Sequence, residues 1–315
     1  MILGFRLSII KFFLLTACLF LTVATALAGE PDISKAAVLI SQNIKPYMEA
    51  VEGLSRSVSK NTGTELEVFS LSSYPDAKEQ KEQKILKKEL VEGNFSLFIA
   101  VGPEASRFIW TELYDQNTPM LFTIVLNPEK VVGQAEQSCG ISLNIPVKMQ
   151  IREIASTLPD SKRIGLMYDA EYNDLFFREA SEYALELGLK IVPLQVSSKK
   201  EIPLALKKNW NNIDSLWLIP DRTVISESII HYIIKQALLK KMPVIGYNLF
   251  FYESGAALAF VFDYEELGYQ TGKLALRVLS GDTCQNNAPK FKTLLNQRVM
   301  KRLGIKPDNG GQNEN

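Results

Sequence analysis

Residues 215–230 read SLWLIPDRTVISESII, a pattern that changes from strand-like to helix-like around one proline. An apolar run ends at Pro220, three polar residues follow, and apolar residues then recur at helical spacing. The stretch predicts a buried strand, a short polar loop and a helix capped by Thr223. In open α/β sheets, ligands bind in the crevice beyond the carboxyl ends of the strands, so Asp221 and Arg222 are candidate ligand contacts. An ordinary solvated loop with a helix cap would show the same residues.

The chain has the composition of a globular protein with room for two domains. It contains 315 residues, of which 46% are hydrophobic and 22% are charged. Its 35 basic residues balance its 35 acidic residues, whereas a nucleic-acid-binding protein would show a basic excess or a basic stripe. We therefore expect no nucleic-acid partner.

The first 28 residues differ in character from the rest of the chain. Arg6 and Lys11 precede an apolar run without acids, and residues 26–28 read Ala-Leu-Ala, which fits the pattern that signal peptidase recognises. The apolar run is shorter than the roughly twenty residues that a membrane span needs. We predict a signal peptide over residues 1–28, cleaved after Ala28, and a soluble protein exported to the periplasm. A lipoprotein cleavage box ending at Cys18 is the alternative.

Signs of catalytic or metal chemistry are missing from the sequence. Cys139 and Cys284 lack the paired spacing of a metal site, and the sequence leaves open whether they form a disulfide. The one histidine, His231, lies within a helical pattern, and no G-x-S-x-G motif occurs. Residues 268–273 read GYQTGK, but the glycines are too close for a phosphate loop, so we interpret them as helix packing. We expect no cofactor, no metal and no enzymatic activity.

Short β-rich runs alternate with helical patterns from residue 36 onward, which predicts parallel sheets with helices on both faces. Two sheets, each of about half a Rossmann fold, suit ordinary domain size better than one large sheet. We predict an α/β protein with two Rossmann-like lobes, divided near Ser138–Ile145, and helices that include 174–187 and 264–279. The predicted strands are 36–40, 66–69, 96–101, 120–125, 163–168, 189–194, 215–219, 243–247, 257–262 and 293–295.

Several short motifs also occur in the order known from one protein family. The segments are AVGPEA at 100–105, FTIVLNP at 122–128, CGIS at 139–142, LPDSKRIG at 158–165 with Tyr168, DRTV at 221–224, DYEELGYQTG at 263–272 and LGI at 303–305. Taken together they resemble the substrate-binding proteins of ABC transporters with the type I periplasmic-binding-protein fold, in the branch linked to aromatic amino-acid uptake. The resemblance runs nearly from end to end.

The resemblance implies two lobes that are joined by several crossings of the chain and close on a small ligand in the cleft between them. Lobe one would contain residues 30–141 and 259–285, lobe two residues 142–258 and 286–305, and residues 306–315 would form a flexible tail. Such a protein is a monomer that delivers its ligand to the membrane permease of an ABC transporter. The alternative is an exported sensing domain that reports ligand occupancy to a membrane receptor or kinase.

The resemblance also implies which residues line the cleft, for an amino-acid-like, polar or zwitterionic ligand. Backbone N–H groups at helix N-termini, together with hydroxyl groups, suit a carboxylate. On lobe two, Asp221 could pair with an ammonium group and Arg222 could hold a carboxylate through two parallel hydrogen bonds. Asp263 could instead orient Arg222, which stands where the family usually has Asn, so the ligand can differ from the family's. The candidate contacts are Ser41, Gln42, Gly102, Thr123, Tyr172, Asp221, Arg222, Thr223 and Asp263, with Tyr247, Phe250 and Phe251 as further aromatic walls.

Overall fold

The computed structural model describes residues 34–59, 63–71, 80–113, 118–133 and 139–305. The predicted signal peptide at residues 1–28, the alternative lipid-attachment residue Cys18 and the tail at 306–315 lie outside the described residues. No helix in the described ranges is both long enough and apolar enough to cross a membrane.

Lobe one contains a five-stranded parallel sheet with the strand order β2-β1-β3-β4-β5. Its central strands are almost continuously buried, as expected for parallel strands that are covered on both faces. The strands are β1 (Lys35–Ile40), β2 (Glu65–Ser70), β3 (Leu97–Val101), β4 (Met120–Val125) and β5 (Cys139–Ser142). The helices are α1 (Lys45–Ser59), α2 (Gln80–Glu92) and α3 (Pro103–Glu112), with a 3-10 helix at Pro128–Lys130.

Lobe two contains a six-stranded sheet with the order β11-β10-β9-β8-β6-β7, parallel except for β11. The strands are β6 (Arg163–Tyr168), β7 (Lys190–Gln195), β8 (Ser215–Leu218), β9 (Val244–Gly246), β10 (Leu258–Val261) and β11 (Lys292–Leu295). The helices of lobe two are α4 (Val147–Thr157), α5 (Ala170–Glu186), α6 (Ile202–Asn209), α7 (Glu227–Leu239), α8 (Leu249–Glu253) and α10 (Gln297–Leu303), with a 3-10 helix at Lys199–Glu201. The remaining helix, α9 (Tyr264–Leu279), packs on lobe one. Two mainly parallel sheets confirm the predicted α/β class.

The chain passes between the two sheets three times: after β5, after β10 and before β11. At the second crossing, Phe262 packs against the hydrophobic cores of both lobes. Helix α9 follows this crossing and packs along α1, so it belongs to lobe one although the preceding strand belongs to lobe two. The expected lobe-one segment 259–285 therefore starts one strand too early, because β10 pairs with β9 and β11. Burial of a short strand does not reveal which sheet it joins.

Helices α1 and α9 touch backbone to backbone. A side chain at Gly268 would collide with the carbonyl oxygen of Ala50, and one at Gly53 would collide with that of Glu265. The glycines of the segment 268–273 thus serve helix packing, as the sequence indicated.

Cys139 and Cys284 form a disulfide, with their Cα atoms 5.9 Å apart. The same two segments are also joined by hydrogen bonds, since the Gly140 N–H donates to the Asn286 side-chain oxygen at 3.0 Å and the Asn287 N–H donates to the Gly140 carbonyl at 3.3 Å. The third crossing therefore starts from a segment that is fastened to the edge strand of lobe one.

Candidate functional site

A cavity of about 570 Å³ lies between the lobes, next to the crossings. Its volume is in the range of pockets that enclose small molecules. The lining residues of both lobes follow the carboxyl ends of strands, where ligands bind in open α/β sheets. Lobe one contributes Leu126, Asn127, Glu129 and Lys130, while the first crossing contributes residues 143–147. Lobe two and the second crossing contribute most of the remaining surface.

Five aromatic side chains line the cavity, and we call them the aromatic wall: Tyr172, Phe176 and Tyr247 of lobe two, Phe262 of the second crossing and Tyr264 at the start of α9. A second layer of buried rings supports this wall from behind. Trp217 packs edge-to-face on Phe176 with ring centroids 5.3 Å apart, and Phe251 packs on Tyr247 at 4.6 Å. Because the supporting rings are fully buried, the wall is held in place before any ligand arrives.

The carboxylate of Asp221 is fully engaged by the protein itself. One oxygen accepts hydrogen bonds from the Asp169 N–H and the Asn173 side-chain amide, both at 2.8 Å. The other accepts from the backbone N–H groups of Thr223 at 2.8 Å and Val224 at 3.2 Å. The residue is only 1% exposed, so the loop position expected from the sequence comes with a buried side chain.

These bonds fix the start of helix α5. Asp169 caps the helix by accepting from the Glu171 N–H at 3.0 Å, and the Thr223 hydroxyl donates to Asp169 at 2.6 Å. Asn173 interrupts the helical geometry, with φ −134° and ψ 23°. Asp221 therefore sets the conformation of the helical turn that carries Tyr172.

Helix α7 starts at Glu227 with Ser226 as its N-terminal cap, three residues later than the Thr223 cap predicted from the sequence. The difference arises because the Asp221 carboxylate binds two N–H groups of the following residues, which closes a turn where the helix was expected. The exposed guanidinium of Arg222 lies over the Tyr172 ring, 5.4 Å from its centroid.

On lobe one, the predicted residues Ser41, Gly102 and Thr123 form a compact buried edge. The Ser41 hydroxyl accepts a hydrogen bond from the Ala105 N–H at 2.9 Å, near the start of α3. The Gly102 N–H donates to the Thr123 carbonyl at 2.9 Å, and Gly102 has a φ of 93°, which favours glycine. Thr123 is buried, and its hydroxyl has no hydrogen-bond partner among the described residues. Gln42 is exposed beside this edge.

Asp263 lies at the second crossing and caps helix α9. Its carboxylate accepts from the Glu266 N–H at 3.1 Å and from the Lys292 ammonium at 3.4 Å. The structure thus gathers the predicted residues into three groups, one on each lobe and Asp263 between them. Of the nine candidate contacts, Tyr172 belongs to the cavity lining, and the other eight lie outside it.

The lobe-one loop that reaches the cavity begins at a β-bulge. The pairing of β4 with β5 shifts between Thr123 and Val125, and Ile124 has a φ of 56°. This left-handed conformation is strained for a β-branched residue, at a cost of about 1–3 kcal/mol, and bulges often occur beside functional sites. The Asn127 N–H then donates to the Asn144 side chain at 2.9 Å, which anchors the loop to the first crossing.

Burial raises the pKa of two tyrosines of the wall, Tyr247 and Tyr264. It raises the pKa of Tyr247 to about 12, and the nearby negative charge of Asp221 acts in the same direction. Burial, followed by the charge of Glu49, also raises the pKa of Tyr264. Both hydroxyls therefore keep their protons to a higher pH than an exposed tyrosine does, and each can donate a hydrogen bond.

Sequence analysis did not select several of the lining residues: Asn127, Asn144, Asn173, Phe176, Asn248, Phe262 and Tyr264. Asn127, Asn248 and Phe262 come one or two residues after β4, β9 and β10, so their place beyond a strand end was the available signal. Phe176 and Asn173 lie inside a helix that is kinked at Asn173, and the sequence pattern did not reveal this kink. The described part of the chain contains no cluster of three or more His, Cys, Asp or Glu side chains able to hold a metal ion.

The sequence profile of the family described as ABC transporter substrate binding protein matches residues 37–309. The chain therefore belongs to this family, which consists of substrate-binding proteins and not of enzymes, as the sequence led us to expect. A tyrosine-binding protein of Clostridioides difficile strain R20291 is 25% identical over 205 residues. That match spans 60% of this chain and 58% of the relative.

Solved structures show the same fold. The ligand-free, open structure of a Clostridium difficile substrate-binding protein with adhesive properties aligns with a TM-score of 0.73 at 19% identity, over 88% of this chain and 97% of the other. An ABC domain from Streptococcus pneumoniae in complex with L-Trp aligns with a TM-score of 0.58 at 19% identity, over 90% and 98%. The two lobes have the architecture of type I periplasmic binding proteins.

Proposed function

We propose that this chain is an exported solute-binding protein, which delivers an amino-acid-like ligand with an aromatic or large apolar side chain to the membrane permease of an ABC importer. The observation that carries the proposal is the aromatic wall at a cavity between two lobes. The names of the similar proteins, one tyrosine-binding and one in complex with L-Trp, support the same ligand class. Family membership favours transport over the alternative of a sensing domain.

The cavity combines the two features that such a ligand requires. The rings of Phe176 and Tyr247 offer apolar surface to a side chain, and the amides of Asn127, Asn144 and Asn248 offer neutral donors and acceptors to a polar head group. A ligand that contacts residues of both lobes would favour the closed arrangement, since it binds that arrangement more tightly than the open one.

We assign Asp221 an indirect role in this function. Its carboxylate is saturated by four hydrogen bonds, so it positions Tyr172 and Asn173 instead of contacting the ligand. On lobe one, Ser41, Gly102 and Thr123 support the edge of the sheet, and the exposed Gln42 beside them is assigned a contact that forms on closure.

A thermal-shift panel of amino acids, followed by purines, sugars and organic acids, tests the proposal on the purified protein. A ligand at one hundred times its dissociation constant adds about 2.7 kcal/mol, which raises the melting temperature by several degrees for a chain of this size. We expect the aromatic amino acids to give the largest shifts. A panel in which no amino acid shifts the melting temperature, while a sugar or purine does, would overturn the proposed ligand class.

A further inference from the structure

Three charged side chains project onto the cavity: Glu129 and Lys130 from lobe one and Glu179 from lobe two. All three are exposed, and none of them has an ion-pair partner among the residues that the structure describes. Two negative charges and one positive charge therefore face the space between the lobes without compensation from the protein.

Glu179 lies on the same face of α5 as the aromatic wall. It follows Tyr172 by seven residues and Phe176 by three, which is the spacing of neighbours along one side of a helix. Neighbouring charges on this helix are already paired, since Asp174 binds Arg178 at 2.6 Å and Glu186 binds Lys148 at 3.1 Å. Among the charged residues of this helix, Glu179 is the one that lines the cavity, so its carboxylate is available to a ligand at the wall.

Lys130 reaches the cavity from the opposite lobe on a loop with fixed geometry. Its backbone N–H donates to the Asn127 carbonyl at 2.9 Å, and the Asn127 N–H is held by Asn144 at the first crossing. The lysine and Glu179 are therefore opposite charges presented by separate lobes to one cavity.

We propose that these two residues recognise the two charges of a zwitterionic ligand: Lys130 binds the carboxylate and Glu179 binds the ammonium group. This inference rests on the proposed function and adds to it the two residues that recognise the charges of the ligand. The zwitterion then links the lobes, because one charge contacts lobe one and the other contacts lobe two, while the side chain packs on the aromatic wall. Glu129 makes the lining negative on balance, so an anion that lacks the ammonium group is disfavoured.

Three ligands that differ only in charge test this assignment by titration calorimetry: L-tyrosine, tyramine, which lacks the carboxylate, and 3-(4-hydroxyphenyl)propionate, which lacks the ammonium group. The purified wild-type protein is expected to bind them in that order of decreasing affinity. Lys130→Gln should weaken L-tyrosine binding by about tenfold or more and should not weaken tyramine binding. Glu179→Gln should weaken the binding of L-tyrosine and tyramine alike and should not weaken that of the propionate.

Two exposed residues outside the cavity lining provide matched controls: Glu182→Gln on the same helix α5 and Lys207→Gln on α6. Both control variants should bind all three ligands as the wild type does. If another amino acid of the panel binds more tightly, its own amine and acid analogues replace those of tyrosine.

The outcomes separate this inference from the function on which it rests. Wild-type binding of an amino acid that Lys130→Gln and Glu179→Gln leave unchanged would overturn the charge assignment and keep the proposed function. Failure of the wild type to bind any amino acid would overturn the proposed function itself.

Discussion

Lobe one and lobe two present different chemistry at the carboxyl ends of their strands. In lobe one the edge consists of small buried residues such as Ser41 and Gly102, and the cavity is reached by the short loop after β4 and by Tyr264 at the start of α9. In lobe two a buried carboxylate, Asp221, organises a polar network beside a doubly layered aromatic wall. The difference indicates that lobe two holds the preformed recognition surface, whereas lobe one supplies the surface that closes on it.

The two lobes are also made rigid by different means. Lobe one is held by the disulfide between Cys139 and Cys284, which does not line the cavity, and by the close contact of α1 with α9, whose first residue is Tyr264 of the wall. The cleft edge of lobe two is held by the same hydrogen bonds and ring contacts that shape the site. Mutations at the disulfide of lobe one should therefore lower stability without changing ligand affinity. Mutations at the cleft edge of lobe two should lower both.

Removal of the disulfide should have the largest effect on stability. The Cys139→Ser, Cys284→Ser double variant is expected to lose about 2–4 kcal/mol of the free energy of unfolding, because the unfolded chain gains conformational freedom. Guanidinium denaturation measures this loss, and the wild type under reducing conditions serves as the matched control. Ligand affinity should stay unchanged. A loss of affinity together with the loss of stability would show that the disulfide shapes the binding site.

Asp221→Asn should lower both stability and affinity. The new amide group would face donors such as Asn173 and leave at least one of them without an acceptor, which costs about 1–3 kcal/mol. Tyr172 would lose its fixed position at the wall, so titration calorimetry should show weaker binding.

Asp214→Asn is the matched control for this prediction. Asp214 also accepts hydrogen bonds from backbone N–H groups in lobe two, but it is partly exposed and does not line the cavity. Its replacement should lower stability alone. Weaker ligand binding by Asp214→Asn, or unchanged ligand binding by Asp221→Asn, would contradict the inference that the hydrogen bonds of Asp221 support both stability and affinity.

The sequence predicts the frame of this molecule better than its site. Alternating apolar strands and helices are local patterns, and they were sufficient to predict two mainly parallel sheets. The four-residue strand β5 was not predicted, because its pairing with β4 stabilises it more than its own residues do. The roles at the site depend on contacts between distant segments: the loop of Asp221 looks exposed in the sequence, and only its bonds to Asp169 and Asn173 show that it is buried.

Ser41→Ala tests the lobe-one edge with a smaller effect. The Ala105 N–H would lose its acceptor near the start of α3, which should cost about 1 kcal/mol in urea denaturation. Affinity should not change, since the hydroxyl serves the helix and not the ligand. A clear loss of affinity would instead place Ser41 in contact with the ligand and make the two cleft edges more alike.

A further effect, confined to alkaline pH, concerns Tyr247. Its pKa is about 12 in the folded protein against 10.0 for the unperturbed side chain. The unfolded state therefore loses this proton first, so the contribution of Tyr247 to stability is complete below about pH 10 and lost as the pH rises towards 12. In Tyr247→Phe the stability measured by urea denaturation should fall less steeply over that interval. An unchanged slope would contradict the burial of this hydroxyl.

The most direct test compares one truncation on each side of the cavity: Phe176→Ala in lobe two and Leu126→Ala in lobe one, both titrated with the amino acid that binds the wild type most tightly. Loss of a buried phenyl ring corresponds to about 1.5–3 kcal/mol, or roughly ten- to hundredfold in the dissociation constant. We predict this loss for Phe176→Ala and a much smaller one for Leu126→Ala. Equal losses, or a larger loss for Leu126→Ala, would contradict the claim that the recognition surface is built into lobe two.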